Sequence, residues 1–263
     1  METISTPVGA MIREWRRQRR LSQLDLASEA EISQRHLSFV ESGRSKPSRD
    51  MILKLSEHLS VPLRERNRLL VAGGFAPGFS ERPLHDPSLT AAREAVELVL
   101  TGHMPHPAMA VDRHWNLVSA NAAIQPFLGA ADPSLLQPPV NVLRLSLHPK
   151  GLAPLILNLD EWRGHLIERL RRQADASADP TLAALEKELA GYPGGGRPLR
   201  RTNPAHAVAL PLRLRFGGRA LSLISTVTVF GTPLDVTLSE IAIESFFPAD
   251  GETAAILRAM AAG

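Results

Sequence analysis

The chain has 263 residues, is 44% hydrophobic, carries a formal charge of +3 and contains no cysteine. This length favours two domains over one, and the missing cysteines exclude disulfides, thiolate catalysis and Cys-based zinc sites. No apolar run approaches the roughly 18 residues of a membrane span, and the N-terminus lacks the charged-then-apolar order of a signal peptide, so a membrane partner and export are not expected and a cytoplasmic location fits.

The charge is unevenly placed. Residues 1–78 hold 13 Lys and Arg against 9 Asp and Glu, whereas residues 79–263 hold 17 against 18. Much of the excess lies in Arg13, Arg16, Arg17, Arg19 and Arg20, and in a loop with Arg44, Lys46 and Arg49. Such runs suit either a solvated helix face or a phosphate-facing patch.

Five short helices are predicted before residue 73. The first spans about residues 8–19, with Val8, Met11, Ile12 and Trp15 on one face and most arginines off it. Ser22 opens a capping-box-like Ser-Gln-Leu-Asp start to a second helix that ends near Ala30. Ser33 is the natural N-cap of a third, with Ile32 packing ahead of it and Gly43 supplying the stop. Leu37 and Val40 mark the buried side of that helix. Arg35, Ser38 and Phe39 point the other way, and Gln34 sits at the exposed N-terminal edge. Ser48 caps a fourth helix with Ile52, Leu55 and Leu59 inward, and Pro62 starts a fifth that ends near Gly73-Gly74.

Two helices joined by a tight turn, the second displaying polar side chains from its N-terminal end, form the arrangement that enters a DNA major groove. Here the sequence resembles the Xre/phage-repressor family of helix-turn-helix regulators. The resemblance is carried by Leu21-Ser-Gln-Leu-Asp-Leu-Ala27, Ile32-Ser-Gln-Arg-His-Leu37 and Glu41-Ser-Gly-Arg-Ser-Lys-Pro-Ser48, within residues 8–72. The family's turn often carries glycine where this chain has Glu31. The resemblance implies that Gln34 and Arg35 read bases, an amide suiting adenine and a guanidinium guanine. It implies a groove-facing Phe39 able to pack on a thymine methyl, with Ser38 in reach of a base or a phosphate. Gln23 matches a backbone-clamping position, Ser33 lies at the helix start facing DNA, and Arg44 and Lys46 fall where the loop meets phosphates. His36 lies on the flank and can simply pack.

Residues 73–87 are dense in Gly and Pro and read as a boundary. The expected organisation is a helix-turn-helix domain over 1–74, a linker over 75–87 and a regulatory domain over 88–263, more chain than DNA binding needs. A helix is predicted from about Ser88 to Thr101, then a strand over 108–111, a polar turn over 112–116, a second strand over 117–120 and a helix from Asn121. Further helices are expected near 141–147, 160–174 and 181–190, followed by a loop from Gly191 to Pro198. A strand over 207–216, a Gly217-Gly218 hairpin turn and a returning strand over 219–230 come next, and residues 239–247 suit one more strand.

The strand, turn, strand and Asn-Ala-Ala order resembles the opening of PAS-type sensor domains. The larger half is similar to that of the MmyB-like branch of Xre regulators, through Ala110-Val-Asp-Arg-His-Trp-Asn-Leu-Val-Ser-Ala-Asn121, Asn141-Val-Leu-Arg-Leu-Ser-Leu-His-Pro149, Phe230-Gly-Thr-Pro-Leu-Asp-Val-Thr-Leu-Ser-Glu240 and Ser245-Phe-Phe-Pro-Ala-Asp250. The fold implied is multidomain: an all-α five-helix lambda-repressor-like helix-turn-helix domain followed by an α+β PAS-like domain. The resemblance also implies a small, largely apolar effector, a fatty acid or acyl compound. Candidate lining residues are Trp115, Phe127, Ile156, Thr226, Thr228 and Phe230, with His106, Arg144 or His148 available to a carboxylate head group; each also suits an ordinary core or structural role.

No catalytic constellation is found. His103 and His106 lack a third ligand for a metal, Gly194-Gly-Gly196 reads as a turn, and there is neither a Gly-x-Ser-x-Gly elbow nor a phosphate-binding loop. Glu161 and His165 are spaced as ordinary helix neighbours. No metal, cofactor or enzymatic activity is expected. The reading is a homodimeric regulator binding a palindromic double-stranded operator under control of the effector. The competing reading gives the larger domain a filled core that serves only dimerisation or protein interaction.

Overall fold

The computed structural model describes residues 6–193, 210–231 and 235–262, which divide into two compact units. The first holds residues 6–83 with the short segments 175–177 and 235–239; the second holds the remainder.

Helices α1 (Val8–Gln18), α2 (Gln23–Glu29), α3 (Gln34–Glu41), α4 (Arg49–His58) and α5 (Leu63–Ala72) build the first unit. Their starts follow the local chemistry. Ser22 and Asp25 form a full capping box, and the hydroxyls of Ser33 and Ser48 accept from the amides of His36 and Met51. Ile12, Leu26, Leu37, Val40, Ile52, Leu55 and Leu70 fill the core between the helices. A helix as short as α3 does not persist alone in water, so burial of Leu37 and Val40 holds it in place.

The turn before α3 sets Glu31 at φ 50, in the left-handed region where glycine is at ease. That conformation costs a non-glycine residue about 1–2 kcal/mol, against about 0.5–1 kcal/mol of extra chain entropy lost by glycine. The side chain of Glu31 is exposed, and its ion pair with Lys54 is 3.5 Å long, so little opposes the exchange. Glu31→Gly is therefore expected to stabilise the chain by up to about 1 kcal/mol in urea unfolding. A net loss would show that the pair outweighs the strain.

The second unit begins with α6 (Thr90–Gly102) and a five-stranded sheet in the order β2-β1-β5-β4-β3, antiparallel throughout. Strands β1 (Ala108–Val111) and β2 (Leu117–Ala120) flank the expected polar turn. Asp112 builds that turn by accepting from the amides of His114 and Asn116, each at 2.8 Å. The carboxamide of Asn121 ties the end of α6 to β1, accepting from the Ala108 amide and donating to the carbonyls of Leu100 and His106.

Helices α7 (Gln125–Gly129), α8 (Val142–Leu147), α9 (Leu159–Ser177) and α10 (Pro180–Ala190) follow. Then come β3 (Leu212–Phe216) and β4 (Arg219–Val229), joined by Gly217 and Gly218 at φ 56 and 78, the positive values a two-residue hairpin requires. The expected strand start at 207 and most of the loop after Gly191 lie outside the described residues. Strand β5 (Ala242–Pro248) starts three residues later than expected, because Asp235 caps a short helix, α11 (Val236–Ser239), by accepting from the Thr237 amide. Helix α12 (Gly251–Ala262), begun by Asp250 accepting from the Thr253 amide, was not expected.

The chain is thus a five-helix helix-turn-helix region followed by a mixed domain of helices on an antiparallel sheet. No described helix is long and apolar enough to cross a membrane.

Candidate nucleic-acid interface and effector cavity

Gln34 and Arg35 stand exposed on the first turn of α3, and Ser38 and Phe39 are half-buried one turn on. The guanidinium of Arg35 lies 5.4 Å from the centre of the Phe39 ring and that of Arg44 lies 6.0 Å from it. Phe39 is a platform carrying two cations, a role its apolar character alone did not reveal. Arg44 and Lys46 are exposed in the loop after α3, where Gly43 turns the chain at φ 76. Ser33 spends its hydroxyl as the N-cap.

Behind this face lies a buried polar cluster. Arg16 on α1 grips Glu41 at the end of α3 through two bonds of 2.6 and 2.9 Å. Gln23, expected to clamp the DNA backbone, donates Nε2 to Glu41 at 2.8 Å, which leaves its second N–H for a phosphate. Burial pushes the Glu41 carboxyl up, but the bonds from Arg16 and Gln23 outweigh it and hold the group below the usual carboxylate range. Sequence reasoning missed Arg16 and Glu41 as a pair. Arg19 also turns inward on its own unit, donating to the Leu59 and Ser60 carbonyls. Two of the five arginines first read as a basic run therefore hold structure.

In the second unit an apolar cavity opens between the sheet and helices α7, α8 and α9. The centre of a water-sized sphere can move through about 80 Å³ of it, and the whole hollow, counted with the solvent it opens into, measures about 650 Å³. Met109, Phe127, Val142, Leu145, Trp162 and Phe246 are among its walls. Its polar lining consists of Ser146, whose hydroxyl accepts from the Trp162 indole at 3.1 Å, and Glu244.

Of the nine residues proposed from sequence to meet an effector, Phe127 lines this cavity. Trp115 is buried nearby beneath Arg169, whose guanidinium lies 4.4 Å from its ring, and donates its indole N–H to Gln173. Ile156 is core outside the lining. The register of β4 pairs Thr226 with Ser245 and Thr228 with Ile243, on the sheet face opposite Glu244 and Phe246, and both threonines are exposed. Phe230 is half-buried beyond the end of the strand.

The three proposed head-group ligands also sit outside the lining. Arg144 makes a two-pronged bond to Glu188, both arms 2.8 Å. Tyr192 donates to the same carboxylate, and burial with that anion pushes its hydroxyl up to about 12. His148 packs edge-on against Tyr192, so Arg144 and His148 are brought together, but around Glu188. His106 packs beside His103 and Phe247, and burial, then the charges of His103 and Arg258, lower its pKa. Among the described residues, no group of three or more His, Asp or Glu is placed to hold a metal.

These features define a DNA-binding regulator of the helix-turn-helix class that carries a separate ligand-binding domain. A family model described as helix-turn-helix matches residues 12–66, and one described as the MmyB-like transcription regulator ligand binding domain matches residues 92–260. The chain belongs to the MmyB-like transcription regulators. Comparison with proteins of curated function gives no match.

Proposed function

We propose that the protein is a sequence-specific operator-binding regulator whose second unit takes a small apolar effector, an acyl-chain compound, into the cavity beneath the sheet. The observation that carries this reading is the cavity itself: apolar walls, an opening to solvent and few polar groups are what a small-molecule site requires. A domain serving only dimerisation has no need of such a hollow. We assign 1–74 to DNA binding, 75–87 to the linker and 88–263 to regulation, in a cytoplasmic homodimer on a palindromic operator; two short recognition helices combine their contacts there. The effector acts by binding two states of the protein unequally.

In this reading Gln34, Arg35, Ser38 and Phe39 face bases, and Gln23, Ser33, Arg44 and Lys46 face the DNA backbone. Arg35→Ala is expected to lower operator affinity by about 1–3 kcal/mol and relax preference at one base pair, whereas Lys46→Ala weakens binding to all sequences. Fluorescence anisotropy on operator and random duplexes separates the two, and equal losses for Arg35→Ala on both would remove its reading role. The effector is tested by native mass spectrometry of the purified chain, with extraction of any bound molecule, and by operator affinity measured with and without an acyl library. No bound molecule and an unchanged affinity would sink the proposal.

A further inference from the structure

The chain leaves the second unit at two further places. Residues 175–177, at the end of α9, and 235–239 belong to the first unit, and the second resumes at Ala178 and at Glu240. One short segment of the second unit, the turn between β1 and β2, holds the residues that flank both excursions. Gln173, just before the first, donates to the Arg113 carbonyl at 3.0 Å and accepts from the Trp115 indole at 2.8 Å. Asp179, just after it, pairs with His114 at 2.9 Å. The Arg113 guanidinium lies 3.8 Å from Asp179 and 3.7 Å from Glu240, where the second excursion ends.

The same turn is fastened to two elements of the cavity wall. The Trp115 carbonyl accepts from the Val142 amide at 2.9 Å, and Arg169, 4.4 Å above the Trp115 ring, donates to Glu244 at 3.0 Å. Val142 and Glu244 both line the hollow, whereas Trp115 does not. Trp115 is 4% exposed and sits at φ 67, a left-handed conformation that a bulky residue keeps only where its surroundings hold it. Strain of this kind gathers at switch segments.

We propose that the segment Arg113–Trp115 is the coupling element of the regulator, conveying the state of the cavity to the points where the chain enters and leaves the first unit. This rests on the cavity being the effector site. An effector that displaces α8 or β5 bears on the turn through Val142 and through Glu244 with Arg169. Gln173, Asp179 and Glu240 then follow the turn or give up their bonds to it. Release of the strain at Trp115 supplies the second arrangement that coupling between two sites requires.

Indole N–H spectra of the 15N-labelled full chain, titrated with sodium dodecanoate, test this together with operator affinity measured with and without that probe. Two of the three tryptophans report separately, Trp162 from the cavity wall and Trp115 from the turn. Both signals are expected to shift in the unaltered chain, and dodecanoate is expected to change its operator affinity by about fivefold or more. In Gln173→Met and in Arg113→Met that change should shrink to under about twofold, while Trp162 still titrates at a similar probe concentration. Arg113→Met keeps the test open if the loss of both Gln173 bonds prevents folding, because its own ion pairs are long and its side chain is 33% exposed. A shift at Trp162 without one at Trp115, or an operator response that is absent from the unaltered chain or survives in either folded variant, overturns the coupling role and leaves the cavity reading standing. If Trp162 does not shift, dodecanoate does not enter, and the effector reading falls together with this one.

Discussion

Glu41→Ala is expected to cost about 3–5 kcal/mol, because it removes one member of a buried ion pair and leaves the other without its counter-charge. Arg16 and Glu41 are 8% and 6% exposed, and Arg16 would keep only its bond to the Leu21 carbonyl. Gln23 would lose its acceptor as well. The loss should appear as a lower urea midpoint for the full chain and as weakened operator binding, since the pair ties α1 to the end of α3, the helix proposed to face the groove. Replacing both partners with apolar residues, Arg16→Met with Glu41→Leu, should recover much of the stability, because neither charge is then stranded.

The same pair gives the stability a pH dependence of known sign. The Glu41 carboxyl is held below its ordinary value in the folded chain. Its contribution is therefore complete above the unfolded value of about 4.3 and is lost as pH falls through the lower folded value. The stability gap between the unaltered chain and Glu41→Ala should be widest near neutrality and shrink on acidification below about pH 4. A gap of under about 1 kcal/mol at pH 7, or one that does not narrow in acid, would show that the pair contributes little.

What was legible in the sequence was local. The caps at Ser22, Ser33 and Ser48 and the glycine pair at 217–218 act within a few residues of themselves, and the helices and the hairpin turn begin where those signals stand. The strand pair around Asp112 was equally plain, since one side chain organises the whole turn. Glu41 was not legible as a structural group, because its partners lie 25 and 18 positions away on other helices. The cavity was harder still. Its walls combine β1, β3, β4 and β5 with three helices, and which face of β4 turns toward it depends on register with β5, which places Thr226 and Thr228 on the face away from this cavity. One signal was available: Glu244 alternates with Ala242 and Phe246, a charge at an inward position of an apolar strand. Another stood beyond Phe247, where Asp250 followed by Thr253, Ile256 and Leu257 is a capped helix start that the strand assignment stopped short of.

Glycine substitutions should separate the two units, because two glycines occupy places where the backbone leaves no room. A β-carbon on Gly9 would overlap the carbonyl oxygen of Val40, so Gly9 is what lets α1 lie against α3. A β-carbon on Gly151 would overlap the carbonyl oxygen of Leu145, which accepts from the Leu152 amide, and both leucines line the cavity. Ordinarily alanine within a helix is better than glycine by about 0.5–1 kcal/mol, as expected for Gly164→Ala on α9, where the added carbon meets nothing within 4 Å. Gly9 also lies within a helix, yet there the sign should reverse, with a loss of about 3 kcal/mol as α1 is forced off α3. Gly9→Ala should therefore weaken operator binding while leaving effector binding intact, and Gly151→Ala should do the opposite. Measuring both activities on both variants, with Gly164→Ala as the control for the helix effect, decides the point: a Gly9→Ala chain as stable as the control would mean that α1 can shift without loss, and the close approach to Val40 would not be what positions α3.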